Sequence, residues 1–249
     1  MNAPLLEVER LRRTFGGLAA VDDVSAAIAE GELIGLIGPN GAGKTTLFNL
    51  ISGFTAPSSG SIRFDGRTVT GWASHRIARL GLGRTFQNLR IFPNMTVFDN
   101  VSVGALGVMP PRLWGGRGRA AGVDARTREA LERAGLDGMA QESASALSYG
   151  KRKYLEIARA LAGKPRLLIL DEPAAGLNDS ETVELARFIR DLHAGGTTVL
   201  LVEHDMGLVM SLCRRILVLA SGRLIADGAP EEVRRNPVVL EAYLGGDDD

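Results

Sequence analysis

Residues 38–45 read Gly38-Pro39-Asn40-Gly41-Ala42-Gly43-Lys44-Thr45, with four residues between two glycines, then a lysine and a hydroxyl. That spacing suits a loop whose backbone N–H groups wrap a polyphosphate, because glycine reaches backbone angles closed to other residues. Lys44 would reach the β- and γ-phosphates and Thr45 would hold Mg²⁺. The flanks fit the motif. Glu32 to Ile37 is a short apolar run of the kind that forms a buried strand. Thr46 to Ile51 reads as a helix that Gly53 can stop. A helix starting at the loop would add free N–H donors and a positive dipole end at the phosphates.

Two further clusters could complete such a site. Arg166 to Glu172 is an apolar strand pattern ending in Asp171 and Glu172. Asp171 would bind Mg²⁺, directly or through water, and Glu172 is placed to polarise an attacking water. Leu147-Ser148-Tyr149-Gly150-Lys151 precedes a stretch in which Tyr154, Ile157, Ala158 and Leu161 repeat at helical spacing. Ser148 is a good N-cap there. The bland reading is a capped helix, and the functional one is a helix N-terminus aimed at another phosphate.

The elements that must position these residues follow from the same patterns. Leu5–Arg10 and Ser61–Asp65 alternate apolar and polar, as half-exposed antiparallel strands do. Leu33–Ile37, Leu167–Leu170, Thr197–Val202 and Ile216–Leu219 are apolar runs that read as buried parallel strands. Helical stripes lie between them, for example Leu185, Phe188, Ile189 and Leu192 before Gly195-Gly196. Alternating strands and helices imply an α/β fold with a mainly parallel sheet covered on both faces. From about Arg76 to Glu142 helix-like sequence dominates, and within it Gly104 to Gly122 reads as an irregular Gly/Pro/Arg-rich loop.

Composition sets limits. The chain has 249 residues, and Lys+Arg and Asp+Glu number 29 each, so no overall field points to nucleic acid. Only Lys44, Lys151, Lys153 and Lys164 are lysine, so a lysine in the glycine loop is not a compositional accident. The lone Cys213 excludes an internal disulfide, fits a reducing compartment and reads as a small buried hydrophobe. No leader peptide is expected at Met1-Asn2-Ala3-Pro4, and no apolar run approaches the ~20 residues that span a bilayer. A soluble protein is expected, one that meets a membrane only through partners.

Taken in order, the glycine loop, the Leu-Ser-x-Gly element and the Asp-Glu strand resemble an ATP-binding-cassette ATPase. The resemblance runs from Leu5 to Leu244 and implies a P-loop core with an N-terminal antiparallel β subdomain and an inserted α-helical subdomain. Its bounds would be 1–86 and 160–249 for the core and 87–159 for the helical part, with a disordered tail at 245–249. It implies that residues Gly38 to Thr46 bind ATP, and that Ser148 and Gly150 contact the γ-phosphate held by a second cassette. The family's signature is usually Leu-Ser-Gly-Gly-Gln, and Tyr149 and Lys151 depart from it here. Gln87, after Arg84-Thr85-Phe86, resembles the glutamine that touches Mg²⁺ and the attacking water. His204, in Val202-Glu203-His204-Asp205, resembles the switch histidine at the γ-phosphate. Phe15 resembles the aromatic under the adenine. Ala174 to Asn178 resembles the loop that crosses the dimer interface, with Asn178 where the family usually has aspartate and Asp179 next.

Finer features resemble one subfamily, the ATP-binding subunits of bacterial branched-chain amino acid importers. They are Leu155-Glu156-Ile157-Ala158-Arg159, Glu172 to Asn178, Glu203-His204-Asp205-Met206, Arg90-Ile91-Phe92-Pro93 and the end from Asn236-Pro237 to Gly245. Subunits for urea or amide uptake and for lipopolysaccharide export share them, and a soluble nucleic-acid-associated cassette is a more distant alternative. A GTPase or kinase would leave the Ser148 element unexplained. The resemblance implies MgATP hydrolysis coupled to transport, with a second ATPase subunit, same or different, and membrane permease subunits. A substrate-binding protein would be an indirect partner, with no nucleic acid, at the cytoplasmic face of the bacterial inner membrane. Gln87 to Val101 is the expected docking surface, and Arg112, Arg117, Arg119, Arg126 and Arg128 are read as a solvated loop.

Overall fold

The two kinds of strand pattern sort into two sheets in the computed structural model, which describes residues 3–109 and 116–244. The alternating segments build an antiparallel sheet ordered β2 (Leu18–Ile28), β1 (Leu6–Phe15), β4 (Ser59–Phe64) and β5 (Arg67–Thr68). The apolar runs build a second sheet, ordered β10 (Arg223–Gly228), β9 (Arg215–Ala220), β3 (Leu33–Ile37), β8 (Thr198–Val202), β7 (Leu167–Asp171) and β6 (Leu82–Arg84). From β9 to β6 this sheet is parallel, and β10 pairs antiparallel with β9. Every residue of β3, β7 and β8 is buried, so these strands read as unbroken apolar runs.

Successive side chains of the parallel strands point to opposite faces, and each face has its own core. Ile34, Leu36, Leu167, Ile169, Leu200 and Val202 face the antiparallel sheet and α1 (Lys44–Ile51), where Phe48 and Phe64 are fully buried. Leu33, Ile37, Leu168, Leu170, Val199 and Leu201 face the other way. There they meet α3 (Val97–Val108), α5 (Tyr149–Leu161), α6 (Asp179–Ala194) and α7 (Met206–Leu212). α2 (Ser74–Arg79) precedes β6, α4 (Gly116–Arg133) packs on α3 and α5, and α8 (Pro230–Arg235) and α9 (Pro237–Leu244) follow β10. Because the five parallel strands share a direction, the segments leaving β3, β6, β7 and β8 emerge on one edge. That edge is where open α/β sheets hold ligands.

The segment Gly104–Gly122 differs from the irregular loop its composition suggests. α3 continues to Val108 and α4 begins at Gly116, so helix occupies both flanks, while Arg112 and the rest of 110–115 lie outside the described residues, as does the tail at 245–249. Gly104 breaks no helix. It lets α3 approach α5, since a Cβ there would stand 1.9 Å from the carbonyl oxygen of Arg159. Two strands also left little trace in the sequence: β2, interrupted by bulges against β1, and the half-exposed edge strand β10. Cys213 is buried, and desolvation pushes its thiol up to about 12. Among the described residues no helix is long and apolar enough to cross a membrane.

Gly104→Ala should destabilise the fold although alanine is the better helix former. Overpacking costs about 1–3 kcal/mol and helix propensity returns at most about 1 kcal/mol. A lower urea midpoint with unchanged slope is the expected result, and an equal or higher midpoint would show that α3 and α5 do not meet here.

Candidate functional site

The loop after β3 wraps on itself. Gly38, Gly41 and Gly43 have φ of 155°, 75° and 99°. Two of them are also fixed by space: a Cβ at Gly38 would lie 2.0 Å from the Leu219 carbonyl oxygen, and one at Gly43 would lie 2.2 Å from that of Ala20. Gly43 caps α1 with no side-chain hydrogen bond, which leaves the first N–H groups of the helix for a ligand. Lys44 is buried, and its Nζ donates to the carbonyls of Gly38 (2.6 Å) and Pro39 (3.0 Å). Burial lowers its pKa, and the nearby charges of Glu172 and Asp171 oppose that shift. An ammonium held over the loop by neutral carbonyls keeps its charge for an anion arriving above it.

The cleft over this loop has a volume of about 260 Å³. Asn40 to Thr46 line it, joined by Ala20, Gln87, Glu172 and His204, so four distant segments converge on the loop. Glu172 is the meeting point. Gln87 Nε2 donates to its Oε2 at 2.7 Å, and His204 Nε2 stands 2.7 Å from its Oε1. The Glu172 amide donates to Val202 of β8 at 2.9 Å, and its carbonyl receives Lys153 Nζ at 3.4 Å. The residue holds φ of 48°, a left-handed conformation that costs energy outside glycine and persists only where neighbours impose it.

Asp171 stands apart from the cleft lining. It is buried, receives Arg84 Nη2 at 3.0 Å, and donates its amide to Thr85 Oγ1 at 3.1 Å. Burial raises its pKa, with Arg84 opposing. Arg84 also donates to Asn49 of α1 at 2.8 Å, so one guanidinium joins β6, β7 and α1. The described residues contain no cluster of three or more His, Cys, Asp or Glu able to hold a metal. A Mg²⁺ ion suits such a site nonetheless, because it is usually held by one or two protein oxygens, water and substrate phosphates. Thr45, exposed at the cleft, Gln87 and the carboxylate of Asp171 supply oxygens of that kind.

The remaining sequence-derived residues lie elsewhere. Ser148 caps α5 and is exposed, and Gly150 is buried against Glu181, with neither lining the cleft. Tyr149 bends over the 174–176 turn, its hydroxyl 3.3 Å from the Ala175 carbonyl, which gives this departure from the usual glycine a local contact. Phe15 is 48% exposed beside the Gly16-Gly17 turn, with the Arg13 guanidinium 4.6 Å from its ring centre. Arg84, Lys153 and Glu203 escaped the sequence reading as site residues. A charged residue at the end of an apolar strand or on the buried stripe of α5 was the available signal.

The model of the family described as "ABC transporter" matches residues 21–175, and that of "Branched-chain amino acid ATP-binding cassette transporter" matches 223–249. The chain is 45% identical to the high-affinity branched-chain amino acid transport ATP-binding protein BraF of Pseudomonas aeruginosa, over 98% of this chain and 99% of that protein. It belongs to the ABC transporter family. The high-affinity branched-chain amino acid transport ATP-binding protein LivG of Escherichia coli is 46% identical over 98% of this chain and 99% of its own length. The lipopolysaccharide export protein LptB of Acidithiobacillus ferridurans is 36% identical over 97% of each chain. Among solved structures, the ADP conformation of the cassette MJ1267 superposes with a TM-score of 0.86 at 30% identity, over 98% of this chain and all of that one (100%). The chain is thus an ATP-binding-cassette ATPase.

In this cassette the Arg84–Asp171 pair should matter for folding as well as for the site. Both side chains are 6% exposed. Arg84→Met would leave a buried carboxylate without its cation, a change that costs about 3–5 kcal/mol. Chemical denaturation should register most of that, and a loss under about 1 kcal/mol would mean that Asp171 is solvated.

Proposed function

We propose that this cassette hydrolyses MgATP between two subunits closed head to tail and so drives uptake of branched-chain amino acids through separate membrane subunits. The observation that carries the hydrolytic part is the Glu172 carboxylate, held between Gln87 and His204 above the loop of Lys44. In this reading residues Gly38 to Thr46 cradle the phosphates, Lys44 neutralises charge developing on them, and Phe15 lies against the adenine. Thr45, Asp171 and Gln87 would hold Mg²⁺, which when bound supplies charge neutralisation at the phosphate oxygens. Glu172 takes the proton of a water as its oxygen attacks the γ-phosphorus, the bond from that phosphorus to the β–γ bridging oxygen breaks to release ADP and phosphate, and His204 orients Glu172 and the γ-phosphoryl group.

Ser148 and Gly150 lie outside the lining of the cleft. A second cassette in head-to-tail contact would bring its own Ser148 and Gly150 to the cleft. The dimeric structure of the cassette MJ0796, with a TM-score of 0.77 at 25% identity over 90% of this chain, is consistent with such pairing. The segment Gln87 to Val101 is the proposed contact with permease subunits. It is clipped to α5, since Arg90 donates its amide to Glu156 at 3.3 Å and its carbonyl accepts from Arg159. The cassette would therefore sit peripherally on the cytoplasmic face of the bacterial inner membrane. Cargo choice in this reading would rest with a binding protein and the permeases. Import of branched-chain amino acids is preferred over lipopolysaccharide export because identity to BraF exceeds that to LptB and the C-terminal segment matches the amino acid family.

Glu172→Gln keeps the shape and one acceptor but removes the base. It should retain ATP affinity, lose turnover by about 10²-fold or more and accumulate as an ATP-bound dimer. ATPase assays and light scattering with saturating ATP test this, and a monomeric variant would count against the head-to-tail clamp. Purification from native membranes with companion subunits identified by mass spectrometry tests the cargo assignment: permeases unrelated to amino acid uptake would overturn it.

A further inference from the structure

Glu203 is the residue between the end of β8 and His204, and it is only 4% exposed. A buried carboxylate persists when both oxygens are bonded. Here Oε1 accepts from the amide of Ala174 at 2.7 Å, and Oε2 accepts from the amide of His204 at 3.2 Å. The described residues provide it no salt bridge; the charged groups that bear on it are the acids Glu172 and Asp205. Burial above all, with the charges of Glu172 and Asp205, raises its pKa, and the amides of Ala174 and His204 oppose that shift; two backbone dipoles stand where a cation would otherwise be, an arrangement costly enough that an apolar side chain would serve mere packing better.

Those two amides belong to the two segments that hold the hydrolytic carboxylate. Ala174 lies two residues beyond Glu172 and opens the turn in which Ala175 donates to the Glu172 carbonyl at 3.2 Å and Leu177 to that of Ala174 at 3.0 Å. His204 carries the ring that stands 2.7 Å from Glu172 Oε1. Glu172 itself is in the left-handed region, which its neighbours must maintain. We propose that Glu203 is a positioning residue: its carboxylate clamps the Ala174 turn to His204, so that displacement of the 174–178 loop moves the His204–Glu172 contact. The inference rests on the hydrolytic reading above and adds a route by which that loop, which the reading places between two cassettes, governs hydrolysis.

Only a carboxylate fits the role. Glutamine offers one accepting oxygen and turns a donor toward the second amide, leaving that N–H unpaired. Aspartate keeps both acceptors on a shorter stem. The experiment compares the full-length parent with Glu203→Gln, Glu203→Asp and, as a reference, Glu172→Gln. ATPase kcat and KM, ATP affinity and the amide proton shifts of residues 174 and 204 are measured on each. For Glu203→Gln we expect ATP affinity within about 2-fold of the parent, kcat lower by about 10- to 100-fold, as small misplacements of reacting groups produce, and upfield movement of at least one of the two amides. Glu203→Asp should recover part of the lost turnover, and it carries the same test should Glu203→Gln fail to fold. If Glu203→Gln turns over like the parent while Glu172→Gln is inactive, the clamp is wrong and the ATPase reading stands. Equal losses in kcat and ATP affinity, without recovery by aspartate, would also overturn the clamp. Turnover surviving Glu172→Gln would overturn the hydrolytic reading and the inference together.

Discussion

One carboxylate, that of Glu172, can be reached from the segments that follow β6 and β8 only because three parallel strands end in register. β7 pairs with β6 through Gly83↔Leu168 and with β8 through Leu170↔Leu201, so Gln87, Glu172 and His204 leave the sheet as neighbours. A slip of one residue in either pairing would send the alternate side chains of that strand to the wrong core. The two cores thus enforce the register, and the register delivers the site. Burial of Ile169 and Leu200 on one face and Leu168 and Leu201 on the other is in this sense a condition for the Glu172–His204 contact.

What could be read along the chain follows from range. The glycine loop is local: its residues, the strand before it and the helix after it are contiguous, and all were evident from spacing. The five-residue buried strands were equally clear, because two covered faces leave no polar position to blur them. The carboxylate pair at Asp171 and Glu172 was visible as a strand ending in charge, yet its division of labour was not. Asp171 is buried against Arg84 while Glu172 faces the cleft, and that depends on a guanidinium separated by 87 residues in sequence. Glu203 reads in sequence only as a neighbour of His204, since nothing there reveals that the Ala174 amide would find it. Gly104 misled for the opposite reason. Glycine in sequence suggests flexibility, whereas here it marks the place where two helices touch most closely.

The choice of lysine over arginine at position 44 is physical too. In a chain whose cations are otherwise almost all arginine, this position needs a small charge with donors free to rotate. Two carbonyls only one residue apart, those of Gly38 and Pro39, share a single nitrogen. A planar guanidinium would need more room and a fixed fork of acceptors. The same contrast explains Arg84, where several acceptors lie around one planar group: Asp171, Asn49 and Ser52 take its N–H groups, and the rings of Phe48, Phe54 and Phe86 lie within 6 Å.

α5 is where these local arrangements become a mechanical one. Its N-terminus carries Ser148 outward, while two buried charges, Lys153 and Glu156, and the half-buried Arg159 follow one another a turn apart along one face. Lys153 reaches the Glu172 carbonyl, Glu156 receives the Arg90 amide and Arg159 donates to the Arg90 carbonyl. The helix therefore grips both the strained residue of the cleft and the segment that follows Gln87. Rotating α5 by a few degrees would stretch all three contacts at once, because charge-assisted bonds tolerate little misalignment. The exposed Ser148 end, the contact with the Glu172 carbonyl and the contacts with the Arg90 segment therefore all lie on one helix. The fold thereby links its outer surface to Glu172 through one element of 13 residues.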